Sequence, residues 1–327
     1  MIKKIVCLLF SLAGFSLTTF AQSKMQELLR DANVFYMDKR GTTTTIKDSV
    51  YFVRVIKSDS SEDKMFIVQD FFLNGSRKLV GKSRSPYANI SRQGLFIEYY
   101  LNGHRKSVKT FDHDTLTDDR TEYFPNGKLY FTSRYDHSNK KWLVTECSDS
   151  TGNILAQEGK GVYVDYDDDF KVIKGKGNIN GGLKQGEWTG ISNDSIKYIC
   201  TYSNGICVSG TSTTKSGKTV QFTKDLILPA FNGGEHAFGM FLAHNMRYPR
   251  VAKENNVQGK VFVNFIIDEN GKLTNLRIIR GIGSGCDDEV IKVLKLSPPW
   301  QPEVKYGVAV KEYFTIPISF TLQQEER

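Results

Sequence analysis

Few residue clusters in this 327-residue chain have the types and spacing to do chemistry. Asp165-Tyr166-Asp167-Asp168-Asp169 offers a run of carboxylates, the donor type that Ca²⁺ takes. A calcium loop also needs a Gly after its third ligand and a distant Glu, but Phe170 and Lys176 stand at those places. The run is read as a solvated acidic turn. Gly281-x-Gly283-x-Gly285 precedes a helical stretch, as phosphate loops do. It lacks the Gly-Lys-Ser/Thr ending and the dinucleotide spacing. His236 and His244 lie on one helical segment without a further ligand near them in sequence, so a structural role is expected. No Ser stands in a nucleophile elbow. The chain is read as a non-enzyme, with no cofactor, no metal site and no catalytic residue.

The cysteines allow a different chemistry. Lys3 and Lys4, the uncharged apolar run 5–20 and the small residues Thr19 and Ala21 make a secretory leader over residues 1–21. Cleavage after Ala21 would leave Gln22 first and the protein in the periplasm. The alternative is an uncleaved segment that anchors it in the inner membrane. Cys7 lies early in that run, leaving Cys147, Cys200, Cys207 and Cys286. An oxidising compartment permits disulfides, and the absence of C-x-x-C argues against a zinc ribbon or a thioredoxin motif. Cys200 and Cys207 flank the turn signal Tyr202-Ser203-Asn204-Gly205. A hairpin centred on Ser203-Asn204 would set them directly opposite and open a disulfide to them; a one-residue shift would abolish it.

Charge narrows the partners. The formal charge is +8, and loss of Lys3 and Lys4 makes it +6. Residues 231–327 hold 12 Lys and Arg against 11 Asp and Glu, so the basic excess lies in the middle of the chain. An exported protein rarely meets nucleic acid, and none is expected as a partner. Such a surface suits anionic lipid, anionic glycan or an acidic protein, or is simply solvated.

The elements around these residues are mostly strands. Phe71-Phe72-Leu73-Asn74-Gly75, Tyr99-Tyr100-Leu101-Asn102-Gly103 and Tyr123-Phe124-Pro125-Asn126-Gly127 share one pattern. Each has two aromatics, a spacer and Asn-Gly, and the glycines are 28 and 24 residues apart. Ser150-Thr151-Gly152 and Ser203-Asn204-Gly205 are degenerate copies. Asn-Gly closes a hairpin, and the aromatics supply cross-strand packing. One such hairpin is unstable alone; stacked neighbours bury a continuous face. Residues 45–222 are therefore expected to form a meander or β-solenoid. With Gly186-Glu187-Trp188, the array resembles MORN-type or YwqK-type hairpin repeats. Met25, Leu28 and Leu29 share a helical face, so 22–44 is read as helical, and 223–234 as a connection.

The last hundred residues have another rhythm. After Gly259, Val261, Val263, Phe265 and Ile267 alternate with Phe262, Asn264 and Ile266. Asp268-Glu269-Asn270-Gly271 is a turn, and a second strand runs through Leu276 and Ile278. Asp287 can cap a helix bearing Val290, Ile291 and Leu294, which Pro298-Pro299 stops. In the final strand Phe314, Ile316, Ile318 and Phe320 take the core face and Tyr313, Thr315, Pro317 and Ser319 the other. Pro317 has no N–H, so this strand is expected at a sheet edge.

The order Tyr248-Pro249, Gly259, Asp268-x-x-Gly271, Pro299-Trp300-x-Pro302 and the closing strand resembles the C-terminal domain of the TonB family, over about residues 231–323. Gly259, Gly271, Trp300 and Pro302 carry the structural part of the match. The resemblance implies a domain at 235–323 with a three-stranded antiparallel sheet and two helices, so that the whole chain is mainly β with an α+β C-terminal domain. It also implies binding of the N-terminal peptide of an outer-membrane TonB-dependent receptor by β-strand addition, with Tyr248 and Pro249 beside the groove and Tyr313, Thr315, Pro317 and Ser319 along it. TonB proteins couple such receptors to an ExbB/ExbD-type inner-membrane motor. The apolar run 5–20 lacks the histidine the family uses for that contact, and no Pro-rich spacer is present. A non-energising adaptor is therefore kept as the alternative function, and a homodimer through sheet edges stays open.

Overall fold

The computed structural model describes residues 31–59, 64–193 and 195–322. The leader at 1–21 and the helical face of Met25, Leu28 and Leu29 lie outside the described residues. The chain divides into two compact units, residues up to 171 with 177–184, and residues 172–176 with 185–327. The second unit thus takes in hairpins upstream of the connection read at 223–234.

The first unit is an antiparallel meander. Its first strand, Asn33–Met37, falls inside the segment read as helical. Val34, Phe35 and Tyr36 are β-branched or aromatic, and they pair with Val55, Arg54 and Val53 of Phe52–Ser58. The array therefore starts before residue 45. Phe66–Phe72, Arg77–Ser83, Arg92–Tyr99 and Arg105–Asp112 follow, each antiparallel to the one before. Arg120–Tyr123, Leu129–Asp136, Lys141–Ser148, Ile154–Gln157 and Lys160–Tyr166 continue the pattern. Ile56, Val68, Leu79, Phe96 and Phe111 form one buried cluster. At Gly81 an added Cβ would lie 2.4 Å from the Phe96 ring, so that ring needs glycine beneath it. Buried Asp70 accepts two hydrogen bonds from the Arg54 guanidinium, both 2.8 Å, which satisfies a carboxylate that would otherwise be costly to bury.

The Asn-Gly sequences do close hairpins, but with a longer loop than a two-residue turn. Gly75, Gly103 and Gly127 take φ of 85°, 87° and 83°, while the Asn before each keeps negative φ. The Gly75 N–H donates to the Phe72 carbonyl and the Phe72 N–H to the Ser76 carbonyl. The same pair of bonds recurs at Tyr100 and Phe124. This is a type I turn followed by a left-handed glycine, and the register slips once beside it, as a bulge requires. Side chains beside the left-handed glycines reach the next loop, Ser76 Oγ donating to the Leu101 carbonyl at 3.3 Å. Asn102 Nδ2 donates to the Pro125 carbonyl and Asn126 Nδ2 to the Ser150 carbonyl, each at 2.7 Å. The repeat is thus a ladder of turns, each tied to the next. At Asn204-Gly205 both residues have positive φ, 49° and 79°, giving the tight primed turn instead.

In the second unit, Leu183–Ser192 from residue 185 on, Ile196–Ser203, Ile206–Thr213 and Thr219–Phe222 follow the same hairpin pattern. Beyond them come helices α1 (Gly234–Asn245), α2 (Arg250–Glu254) and α3 (Cys286–Lys295) and a three-stranded sheet. Its central strand, Gly259–Ile267, lies between an outer strand, Leu273–Arg280, and an edge strand, Glu312–Phe320. The two expected helices are α1 and α3; the one-turn α2 follows Pro249, whose fixed φ suits a helix start. Val261, Val263, Phe265 and Ile267 are fully buried against Val290 and Leu294 of α3 and against Ile318 and Phe320. Asp287 does not cap α3. Gly285 holds the N-cap position with φ 84°, and the Asp287 carboxylate accepts the backbone N–H groups of Ile282 and Gly283 at 3.0 and 3.3 Å. The amides of this glycine-rich loop are thus taken by a carboxylate of the chain itself. A small sheet joins Leu226–Ile227 to the hairpin Glu303–Lys305 and Val308–Val310.

Candidate functional site: a free sheet edge

The edge strand pairs with the central strand through an unbroken ladder, from Gly259↔Phe320 to Ile267↔Glu312. Among the described residues its other side has no strand partner. Ile318 and Phe320 are buried, whereas Tyr313, Thr315, Pro317 and Ser319 are exposed, Tyr313 to 67%. Two contacts fix the open face independently. Asn264 Nδ2 donates to Thr315 Oγ1 at 2.9 Å, and the Arg280 guanidinium lies 5.0 Å from the centre of the Phe262 ring. The ladder runs through Phe262↔Pro317 without a shift.

The structure also has a second free edge, which the sequence reading missed. Among the described residues the outer strand Leu273–Arg280 pairs only with the central strand, but with register shifts between Phe262 and Val263 and between Asn264 and Ile266. Asn275 there takes φ 55°. Such bulges twist an edge away from regular pairing. The edge strand Glu312–Phe320 is the more regular template.

The motif residues far apart in sequence meet behind this sheet. The Trp300 N–H donates to the Gly271 carbonyl at 2.8 Å, and its indole Nε1 donates to Ser297 Oγ at 2.9 Å. A Cβ on Gly271, which has φ 79°, would stand 1.8 Å from the Trp300 carbonyl oxygen. The Trp300 ring packs edge-on to Phe231, Phe265 and Phe314. Pro302 leads directly into the hairpin strand Glu303–Lys305, and Gly259, with φ 148°, begins the central strand within 3.1 Å of Ile282 for any added Cβ.

Residues 244–322 match the family described as Gram-negative bacterial TonB protein C-terminal. The chain carries a TonB-type C-terminal domain. The match takes in α2, α3 and the whole three-stranded sheet, and leaves the repeat array outside it. Domains of this family are transport-related and non-enzymatic, generally act on outer-membrane receptors, and place their proteins in the cell envelope. No curated protein matches the chain.

Within the TonB-type domain, Tyr248 meets the edge strand at its last residue. Its ring stands edge-on to Phe320 at 5.5 Å, and its hydroxyl donates to the Val257 carbonyl at 2.6 Å. Pro249 turns instead towards Gly285, where a Cβ would come within 3.3 Å of it. His244 Nδ1 is 2.7 Å from the Met240 carbonyl, a contact within α1. Among the described residues no group of three or more His, Cys, Asp or Glu could hold a metal ion, and no helix is long and apolar enough to cross a membrane.

Tyr306 is the residue that sequence reasoning overlooked. It sits at the tip of the hairpin 303–310, with φ 50°, and Gly307 follows at 77°. Its ring stacks on Tyr198 at 3.6 Å and 8°, and stands edge-on to Phe222 at 5.7 Å. Tyr202 donates its hydroxyl to Asp225 Oδ2 at 2.7 Å beside this stack. Burial, then the Asp225 carboxylate, raise the Tyr202 phenol, and burial raises that of Tyr306, so both stay protonated donors. The Tyr306-Gly307 pair was readable as a turn; its aromatic receptors, about a hundred residues upstream, were not.

Cys200 and Cys207 also come together, though not in the expected register. Cys207 faces Tyr202, and Cys200 faces Gly210. A register slip falls between Thr201 and Tyr202, and the two sulfurs, on one face of the hairpin, are 2.8 Å apart. Both stand as buried thiols. Burial and the Cys207 thiol push Cys200 up to about 12.

Proposed function

We propose that the TonB-type domain binds the N-terminal peptide of an outer-membrane TonB-dependent receptor by β-addition to Glu312–Phe320, in support of energised transport across the outer membrane. The observation that carries this reading is the unbroken ladder with one unpartnered side. An incoming strand supplies the missing partner for that row of backbone groups. Pro317 fits if its nitrogen points outward, so that the inner ladder loses nothing and the peptide forgoes one bond. The N–H groups of Thr315 and Ser319, of the same parity, then do the gripping, and that of Tyr313, which donates to Glu312 Oε1 at 3.2 Å, joins them by exchanging that carboxylate for the peptide. Tyr248, at the Phe320 end, positions one end of the peptide.

The test is titration of the protein with receptor N-terminal peptides, followed by amide NMR. Shifts should centre on residues 313–320. Shifts confined to α1–α3, to the repeat array or to Leu273–Arg280 would reject this edge. A second copy adding at the same edge would appear as concentration-dependent dimerisation that the peptide reverses.

A second reading is a non-energising periplasmic adaptor. Folded hairpins, not an extended Pro-rich spacer, precede the domain, and Tyr306 rests on the last of them. Intact-mass analysis separates the two. A soluble species starting at Gln22 favours the adaptor; full-length protein in the inner membrane favours coupling to an ExbB/ExbD-type motor.

A further inference from the structure

We infer that Cys200 and Cys207 are an oxidation site, closed to a disulfide as the protein folds in the envelope, and that this disulfide staples the hairpin on which Tyr306 of the TonB-type domain rests. Two observations carry it. The sulfurs lie 2.8 Å apart across adjacent antiparallel strands, so a small approach brings them to bonding distance. The strand that carries Cys200 also carries Tyr198 and Tyr202, which alternate with it on the same buried face. Tyr198 is the ring on which Tyr306 stacks, and Tyr202 donates its hydroxyl to Asp225. The cross-link would therefore lie directly under the point where the TonB-type domain is held. Cys147 and Cys286 lie elsewhere, in Lys141–Ser148 and at the start of α3.

The chemistry needs an oxidant, and the envelope supplies one in the class of protein thiol–disulfide oxidases. One cysteine thiolate attacks the oxidase disulfide, forms a mixed disulfide and releases one oxidase sulfur as a thiol. The second cysteine thiolate then attacks the mixed disulfide, forms the Cys200–Cys207 bond and releases the other oxidase sulfur. Two electrons and two protons pass from the cysteine pair to the oxidase. Both thiols are deeply buried in the finished fold, so the exchange belongs to folding, before the sheet closes over them. For the same reason the bond should resist small-molecule reductants until the hairpin opens.

The experiment uses the full-length protein isolated from the cell envelope. Thiols are trapped with an alkylating reagent in denaturant without reductant, and the protein is digested with trypsin. Residues 198–215 form one tryptic peptide that holds both cysteines. The expected result is a peptide lighter by two hydrogens and unalkylated, with Cys147 and Cys286 fully alkylated. Two alkyl groups on that peptide, or a linkage to Cys147 or Cys286, would overturn the proposal. A thermal scan adds the mechanical consequence. Reduction of the unfolded protein followed by refolding with reductant should lower the midpoint of the second unit by about 5 °C. Cys207→Ser should lower it equally and become insensitive to reductant. An unchanged wild-type midpoint after reduction would show that nothing is stapled, whether or not the variant folds.

Discussion

At the residue scale, the proposed β-addition at Glu312–Phe320 rests on backbone groups more than on side chains. Thr315→Ala and Ser319→Ala leave every backbone donor in place, so receptor-peptide affinity should change by less than about threefold. Thr315→Pro or Ser319→Pro removes one outward N–H, and affinity should fall about tenfold. Calorimetric titration checks both, with a melting curve to confirm that the strand still pairs with Gly259–Ile267. Equal losses for alanine and proline would mean that the side chains grip instead. Gly271 is a separate case, because it serves the fold. A Cβ there meets the Trp300 carbonyl at 1.8 Å on a backbone with φ 79°. Gly271→Ala should cost about 3 kcal/mol in urea denaturation, through strain and displacement of Trp300 from its ring of phenylalanines.

At the scale of elements, the hairpin repeat depends on one repeated loop. The left-handed glycine sets the chain reversal, and Asn102 and Asn126 beside it reach the next loop. Asn126→Ala should leave its own turn closed, since the backbone bonds Gly127–Phe124 and Phe124–Lys128 remain. It should lose the tie to Ser150 and destabilise the array by about 1 kcal/mol. Gly127→Ala should cost more, because φ 83° is a conformation that L side chains rarely adopt. Denaturation midpoints of the two variants rank these effects; a larger loss for Asn126→Ala would show that turn stacking outweighs turn geometry.

At the scale of the whole molecule, the TonB-type domain has a core of its own, yet its compact unit extends back to the last hairpins. A fragment of residues 228–327 should fold cooperatively, since Val261, Phe265, Leu294 and Trp300 all lie within it. A fragment of residues 172–327 should melt higher by about 5 °C, because it restores Tyr198, Phe222 and the Leu226–Ile227 strand to Tyr306 and Glu303–Lys305. Circular dichroism melts of the two fragments decide the matter. A disordered 228–327 would mean that the hairpins are required for folding.

What the sequence by itself determined is local or periodic. The alternation of Val261, Val263, Phe265 and Ile267 specified a half-buried strand, Asn-Gly specified the reversals, and Pro317 argued for an edge, because period and backbone chemistry act within a few residues. The same local signals misplaced Asp287, which reads as a helix cap until the loop 281–285 supplies better donors. They also made a helix of 22–44, where Asn33–Met37 finds a strand to pair with. Register was beyond them: the reversal falls on Asn204-Gly205, so Cys207 faces Tyr202 and Cys200 faces Gly210. Only the tertiary structure decided that Gly271 meets Trp300, that two sheet edges stay open and only one is regular, and that Tyr306 settles on Tyr198. Each of these joins segments tens to about a hundred residues apart, and such contacts are fixed by the packing of whole elements, which no short stretch of sequence contains.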